Sequence, residues 1–135
     1  MDRDRIYVLG ASNGGFATWA LAQYHPPFAT AIYPLIGYPT IENIENISNI
    51  PVYQMVSPKD HVFVGRAGEV EKHLKPFGNY IQYDFQEMLH HHLGQYIIHP
   101  TVMKELTKHK RNLYPERVVF RTVRNRHLES FWVKL

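Results

Sequence analysis

One turn constrains this chain more than any other feature. Gly10-Ala-Ser12-Asn-Gly14-Gly15 sits between two runs of opposite preference. Ile6 to Leu9 is β-branched, aromatic and aliphatic, and reads as a buried strand. Ala17 to Gln23 is rich in good helix formers. A chain that passes from strand to helix in so few residues must turn sharply, and Gly10-x-Ser12-x-Gly14 suits that turn. The flanking glycines lack the Cβ atoms that would clash there, and the serine hydroxyl is lifted above the sheet edge. The helix start behind it points free N–H groups at any negative charge that develops. Asn13 would supply one oxyanion donor from its backbone N–H.

The same letters nearly spell a dinucleotide-binding loop, with Gly10 and Gly15 outermost and Ser12 where the middle glycine belongs. That reading needs an acid about 20 positions on. Phe28 to Ile41 holds none, and no tyrosine is followed four residues later by lysine, as a short-chain dehydrogenase site would require. A nucleotide-binding half-domain therefore ranks third among the functional readings.

Composition narrows the classes further. The 135 residues suffice for one domain with a real core. With no cysteine, disulfides, thiolate catalysis and zinc–cysteine sites are excluded. The formal charge is +3, with the basic excess mainly in the C-terminal third, which reads as a solvated face rather than a nucleic-acid surface. No apolar run approaches a membrane span, and Met1-Asp-Arg-Asp-Arg does not read as a signal peptide.

Along the chain, strands and helices alternate. Tyr24-His-Pro-Pro27 ends the first helix, and Phe28 to Ile36 reads as a second strand. Thr40 to Asn49 is a polar connection, Val52 to Val56 a third strand, and Ser57-Pro-Lys-Asp60 a turn. A helix follows over Gly65 to Phe77, with Ala67, Val70 and Leu74 on one stripe. Tyr80 to Glu87 alternates as a fourth strand, and Thr101 to Lys110 reads as another helix. This order implies a parallel sheet covered on both faces. Val118 to Val123 and Ser130 to Leu135 then read as two antiparallel strands, so a boundary is placed near Leu113: residues 1–113 form one unit and 114–135 the start of another.

A serine nucleophile needs a base, and the base needs an acid to orient it. With a G-x-S-x-G serine the order is serine, acid, histidine, each at the C-terminal end of a strand. Asp60 directly follows the third strand, and His90-His91-His92 follows the fourth. The candidate triad is Ser12, Asp60 and His91, with His90 the alternative base and His92 third. Three adjacent histidines cannot converge on one ion, so no metal is expected, nor any cofactor. The other histidines read as surface or loop residues.

With those residues in place, the chain resembles α/β-hydrolases of the prolyl-oligopeptidase-like and dienelactone-hydrolase-like esterase group. The resemblance runs through the Gly10–Gly14 turn, Ile50-Pro-Val52, Asp60 and the histidine loop. It continues into His109-Lys-Arg-Asn112, Tyr114-Pro115, Phe120-Arg-Thr122 and Phe131-Trp-Val133, which look like the tail of large secreted or periplasmic-type predicted peptidases. The family histidine usually follows a glycine, whereas His90 stands at that position here. The resemblance implies part of a three-layer α/β-hydrolase sandwich with a mostly parallel sheet, followed by a short antiparallel β segment. It implies a serine hydrolase acting on ester or peptide bonds through an acyl-enzyme. The strands that precede the serine strand in that family have no counterpart here, so the chain reads as an incomplete domain, weakly active alone. A non-catalytic binding fragment is the alternative. Ile6 to Leu9 should then be a sheet edge, through which self-association is the expected consequence.

Overall fold

The computed structural model describes residues 2–60, 66–86, 90–122 and 129–134. Four strands, β1 (Tyr7–Ala11), β2 (Ala31–Leu35), β3 (Val52–Val56) and β4 (Tyr80–Asp84), form a sheet in the order β1-β2-β3-β4. Every neighbouring pair is parallel, with Tyr7 beside Ala31, Ile32 beside Val52, and Val52 beside Tyr80.

Among the described residues, three helices carry the chain between strands: α1 (Asn13–Tyr24), α2 (Ala67–Leu74) and α3 (Pro100–Leu106). In α1, Gly15, Thr18, Trp19, Ala22 and Gln23 are buried, the spacing of a single helical face. That face, the Ala67–Val70–Leu74 stripe of α2, and Ile44, Ile47 and Ile50 enclose Ile32, Val52 and Val56 on one side of the sheet. On the other side Val102, Leu106 and Leu93 pack with Ala31, Tyr33, Leu35, Tyr53 and Met55. The fold is thus a three-layer α/β sandwich. β2 and β3 are buried at every residue, as strands in a doubly covered parallel sheet should be.

β1 is an edge of this sheet and is only partly buried. Its even-numbered residues turn their backbone toward β2, as Ser12 N–H to Leu35 O (2.9 Å) continues to show. By strand alternation, Tyr7, Leu9 and Ala11 present their N–H and C=O groups outward.

The helix expected over Thr101 to Lys110 ends at Leu106, and two further stretches depart from the sequence expectation. The polar connection 40–49 contains a 3₁₀ segment, Ile41–Ile47, whose isoleucines enter the core. Buried Asn46 is satisfied through Gln23 O and the backbone of Arg121, and buried Gln23 bonds Thr40 and Asn43. In the tail, residues 118–122 carry no strand, while residue 123 lies outside the described residues. The Asn46 side chain takes both backbone groups of Arg121, and that of Asn49 takes the C=O of Arg117, where a strand would have offered them to a neighbouring strand. The antiparallel pair is instead a short hairpin, β5 (Glu129–Ser130) with β6 (Val133–Lys134), anchored by Trp132 Nε1–H to Pro115 O at 3.0 Å.

Candidate active site

Ser12 stands between the last residue of β1 and the first of α1, with φ 53° and ψ −116°. A left-handed φ is uncommon for a non-glycine residue and costs about 1–3 kcal/mol, so its surroundings must impose it. They do so through close backbone contact. A Cβ on Gly10 would lie 2.3 Å from Gly14 O, and one on Gly15 would lie 2.7 Å from Leu35 O. Gly14 is different, since a Cβ there meets nothing within 4 Å. The sterically required glycines are therefore 10 and 15, and the motif's third glycine is not demanded by the chain around it.

Ser12 O accepts the first helical bond from Phe16 N–H (3.1 Å). Asn13 opens α1 and is exposed, so its N–H belongs to the first turn, where helix donors lack intrahelical partners.

Asp60 lies four residues past the end of β3 and is only 5% exposed. Its N–H closes a turn on Ser57 O (3.0 Å), and Lys59 N–H bonds Ser57 Oγ (3.2 Å). Beside it is Tyr38, a buried residue at the end of the β2 corner that the sequence reading passed over. Burial first, and then the Asp60 carboxylate, push the Tyr38 hydroxyl up to about 12, while Arg66 pulls the other way. Tyr38 thus stays a neutral hydroxyl beside the acid. It was findable: Gly37-Tyr38-Pro39 closes a strand at the same end of the sheet as the serine and the aspartate.

The histidine cluster begins a 3₁₀ segment, His90–Gln95, after β4. The side chains of His90 and His91 lie outside the described part of the structure. His92 is half-buried, and Leu93 anchors the segment in the core. Because all four strands are parallel, Ser12, Asp60 and this segment follow strand ends on one rim of the sheet. Strand spacing puts β3 about 10 Å and β4 about 14 Å from β1, so the latter two loops would have to arch toward the serine to meet it.

A cavity of about 660 Å³ opens on this rim between α1, the corner after β2, and the start of α2. It is lined by Phe16, Tyr38, Ile41, Glu42, Arg66 and Glu69, among others. Among the described residues, no group of three potential metal ligands is found.

Two of the histidines read as surface or loop residues lie outside helix and strand and make packed contacts. His109 Nε2 lies 2.6 Å from the Tyr53 hydroxyl at the opposite end of the sheet, and burial lowers its pKa. His99 meets Phe85 edge-on at 4.9 Å.

No protein-family model matches the chain, and no curated protein is found to be similar. Among solved structures, the chain is similar in fold to a thermostable esterase, with a TM-score of 0.71 and 24% identity. The likeness covers 82% of this chain and 32% of the esterase chain, so the chain spans about a third of that protein's length. The three-layer architecture is therefore a fold that this esterase shares.

Proposed function

We propose that this chain carries the nucleophile, acid and base of a serine hydrolase that cleaves ester or peptide bonds. The observation that supports this best is the backbone of Ser12, left-handed at the start of a helix, with glycines at 10 and 15 made necessary by backbone contact. Such strain is costly, and a sharp strand-to-helix turn is what lifts a serine Oγ clear of the sheet.

In this reading Ser12 Oγ attacks the substrate carbonyl while His91 takes its proton, with His90 the alternative base. Asp60 holds the imidazole in the tautomer that can accept that proton and stabilises the imidazolium. The tetrahedral oxyanion is met by the Asn13 N–H and the positive end of α1. Collapse breaks the bond to the leaving group, which takes the proton back from the histidine. Water, activated by the same base, then releases the acid and restores the serine. The cavity beside Phe16 and Tyr38 adjoins Ser12 by one helical turn and is placed to receive the part of the substrate away from the scissile bond.

The test is p-nitrophenyl acetate hydrolysis by the wild-type chain and by Ser12→Ala. Turnover above the buffer rate that disappears in the variant supports the proposal. Equal rates in both would mean that another group, or none, is the nucleophile. In the latter case the alternative stands, a non-catalytic fragment or binding module with the same fold.

A further inference from the structure

We infer that the corner Leu35-Ile36-Gly37 is a latch that ties the turn carrying Ser12 to strand β3, with Trp19 and Gln54 as its positioning residues. Its effect on catalysis rests on the reading of Ser12 given above; the latch itself rests on geometry alone.

The corner is held from both sides. Leu35 O accepts the Ser12 N–H at 2.9 Å, and Ile36 N–H donates to Met55 O of β3 at 3.1 Å. Gly37 O accepts twice, from the Trp19 indole N–H at 2.9 Å and from Gln54 Nε2 at 3.2 Å. A carbonyl has two lone pairs, so both are used. Three consecutive residues thus connect the serine turn, helix α1 and the strand that leads to Asp60.

The corner is also pressed against the helix. A Cβ on Gly37 would stand 2.7 Å from both Gly15 C and Phe16 N, so the backbones touch directly. Ile36 adopts φ 46° while fully buried, an outlying conformation for a β-branched residue. Two left-handed residues thus flank one hydrogen bond: Ser12 donates it to Leu35 O, and Ile36 is the residue that follows that carbonyl.

Gln54 gives the arrangement its purpose. It lies fully buried in the middle of β3, where a leucine would fill the space without any polar group to satisfy. Its amide is instead engaged at both ends: Nε2 donates to Gly37 O, and Oε1 accepts from the Tyr80 hydroxyl at 2.7 Å. A satisfied buried network of this kind rigidifies what it joins. Here it fixes the height of the serine turn relative to β3.

Gln54→Met removes the amide at nearly constant volume, so that variant should fold. Trp19→Phe removes the indole N–H but leaves a small cavity, so Gln54→Met is the deciding variant. The full chain, ¹⁵N-labelled, is examined for the Ser12 and Asn13 amide resonances and for the rate of fluorophosphonate labelling at Ser12. The latch predicts that both resonances shift in each variant and that labelling slows by about 10- to 100-fold, the scale of a small misplacement of a reacting group. Resonances that stay in place would overturn the latch whatever the labelling shows. Shifted resonances with an unchanged labelling rate would overturn its positioning role. A wild-type chain that is never labelled, while its resonances move in the variants, would uphold the latch and remove the hydrolase reading instead.

Discussion

A Cβ atom on Gly10 would stand 2.3 Å from the carbonyl oxygen of Gly14, a distance that no folded side chain tolerates. The turn around Ser12 is closed by this contact, and by the similar one between Gly15 and Leu35 O, rather than by the G-x-S-x-G letters as a set.

Gly10→Ala should therefore destabilise the chain by about 2–3 kcal/mol or more, the scale of forced overpacking against backbone. Gly14→Ala should be neutral or stabilising by up to about 1 kcal/mol, because it sits in a helix with open space around it. Urea midpoints of the two variants should move in opposite directions, or the second not at all. Equal losses would contradict the assignment of which glycines the turn needs.

Asp60→Asn should reduce ester turnover by up to about 10⁴, with the fold intact, since the amide favours the wrong imidazole tautomer. Ser12→Ala should cost more, around 10⁶ by the subtilisin comparison. An Asp60→Asn chain with wild-type turnover would remove Asp60 from the site and leave its burial beside Tyr38 as a structural feature.

The Tyr53–His109 pair links the segment after α3 to the sheet. Tyr7 O–H also donates to His109 O (2.9 Å), and Arg111 N–H to Asp4 O (2.9 Å). Burial holds the His109 pKa below the ordinary histidine range, against the pull of Glu105 and with a smaller push from Lys108. The folded state therefore binds this proton less readily than the unfolded chain. Its contribution to stability is complete above the unfolded value of about 6.5, and is lost as pH falls from there through the lowered folded value. The His109 ring resonances should titrate below those of an exposed histidine, and His109→Gln should flatten the fall in stability over that window. A His109 that titrates as an exposed histidine would contradict this.

The outward backbone groups of Tyr7, Leu9 and Ala11 are the proposed route of self-association. Leu9 is 37% exposed, and the strand carries none of the lysines, prolines or bulges that blunt natural edges. Sedimentation should show mass rising with concentration, and Leu9→Lys should reduce it. A monomer at all concentrations would contradict the proposal.

The β1–turn–α1 stretch was legible because periodicity, composition and glycine placement agree there. The order of strands and helices followed from the same agreement. The 3₁₀ segment was hidden because Asn and Glu surround its isoleucines, although Ile41, Ile44 and Ile47 recur every third residue, the period of that helix. The supposed strand at 118–123 misled because its β-branched run is real, while Arg121 in it gives both backbone groups to the side chain of Asn46, and Arg117 just before it gives its C=O to Asn49, both from far along the chain. No local pattern records such contacts. Tyr38 is less legible because a hydroxyl at a strand end is less distinctive than an acid or a histidine there. The structural outlier at Ile36 has no signature in the sequence at all.

The central claim is that Ser12 is an activated nucleophile. A fluorophosphonate reacts with such a serine and not with ordinary hydroxyls. Intact-mass and peptide mapping after treatment should show one adduct, on Ser12, absent from Ser12→Ala and slowed in Asp60→Asn. No adduct on the wild-type chain, or an adduct that persists at another residue in Ser12→Ala, would contradict the claim.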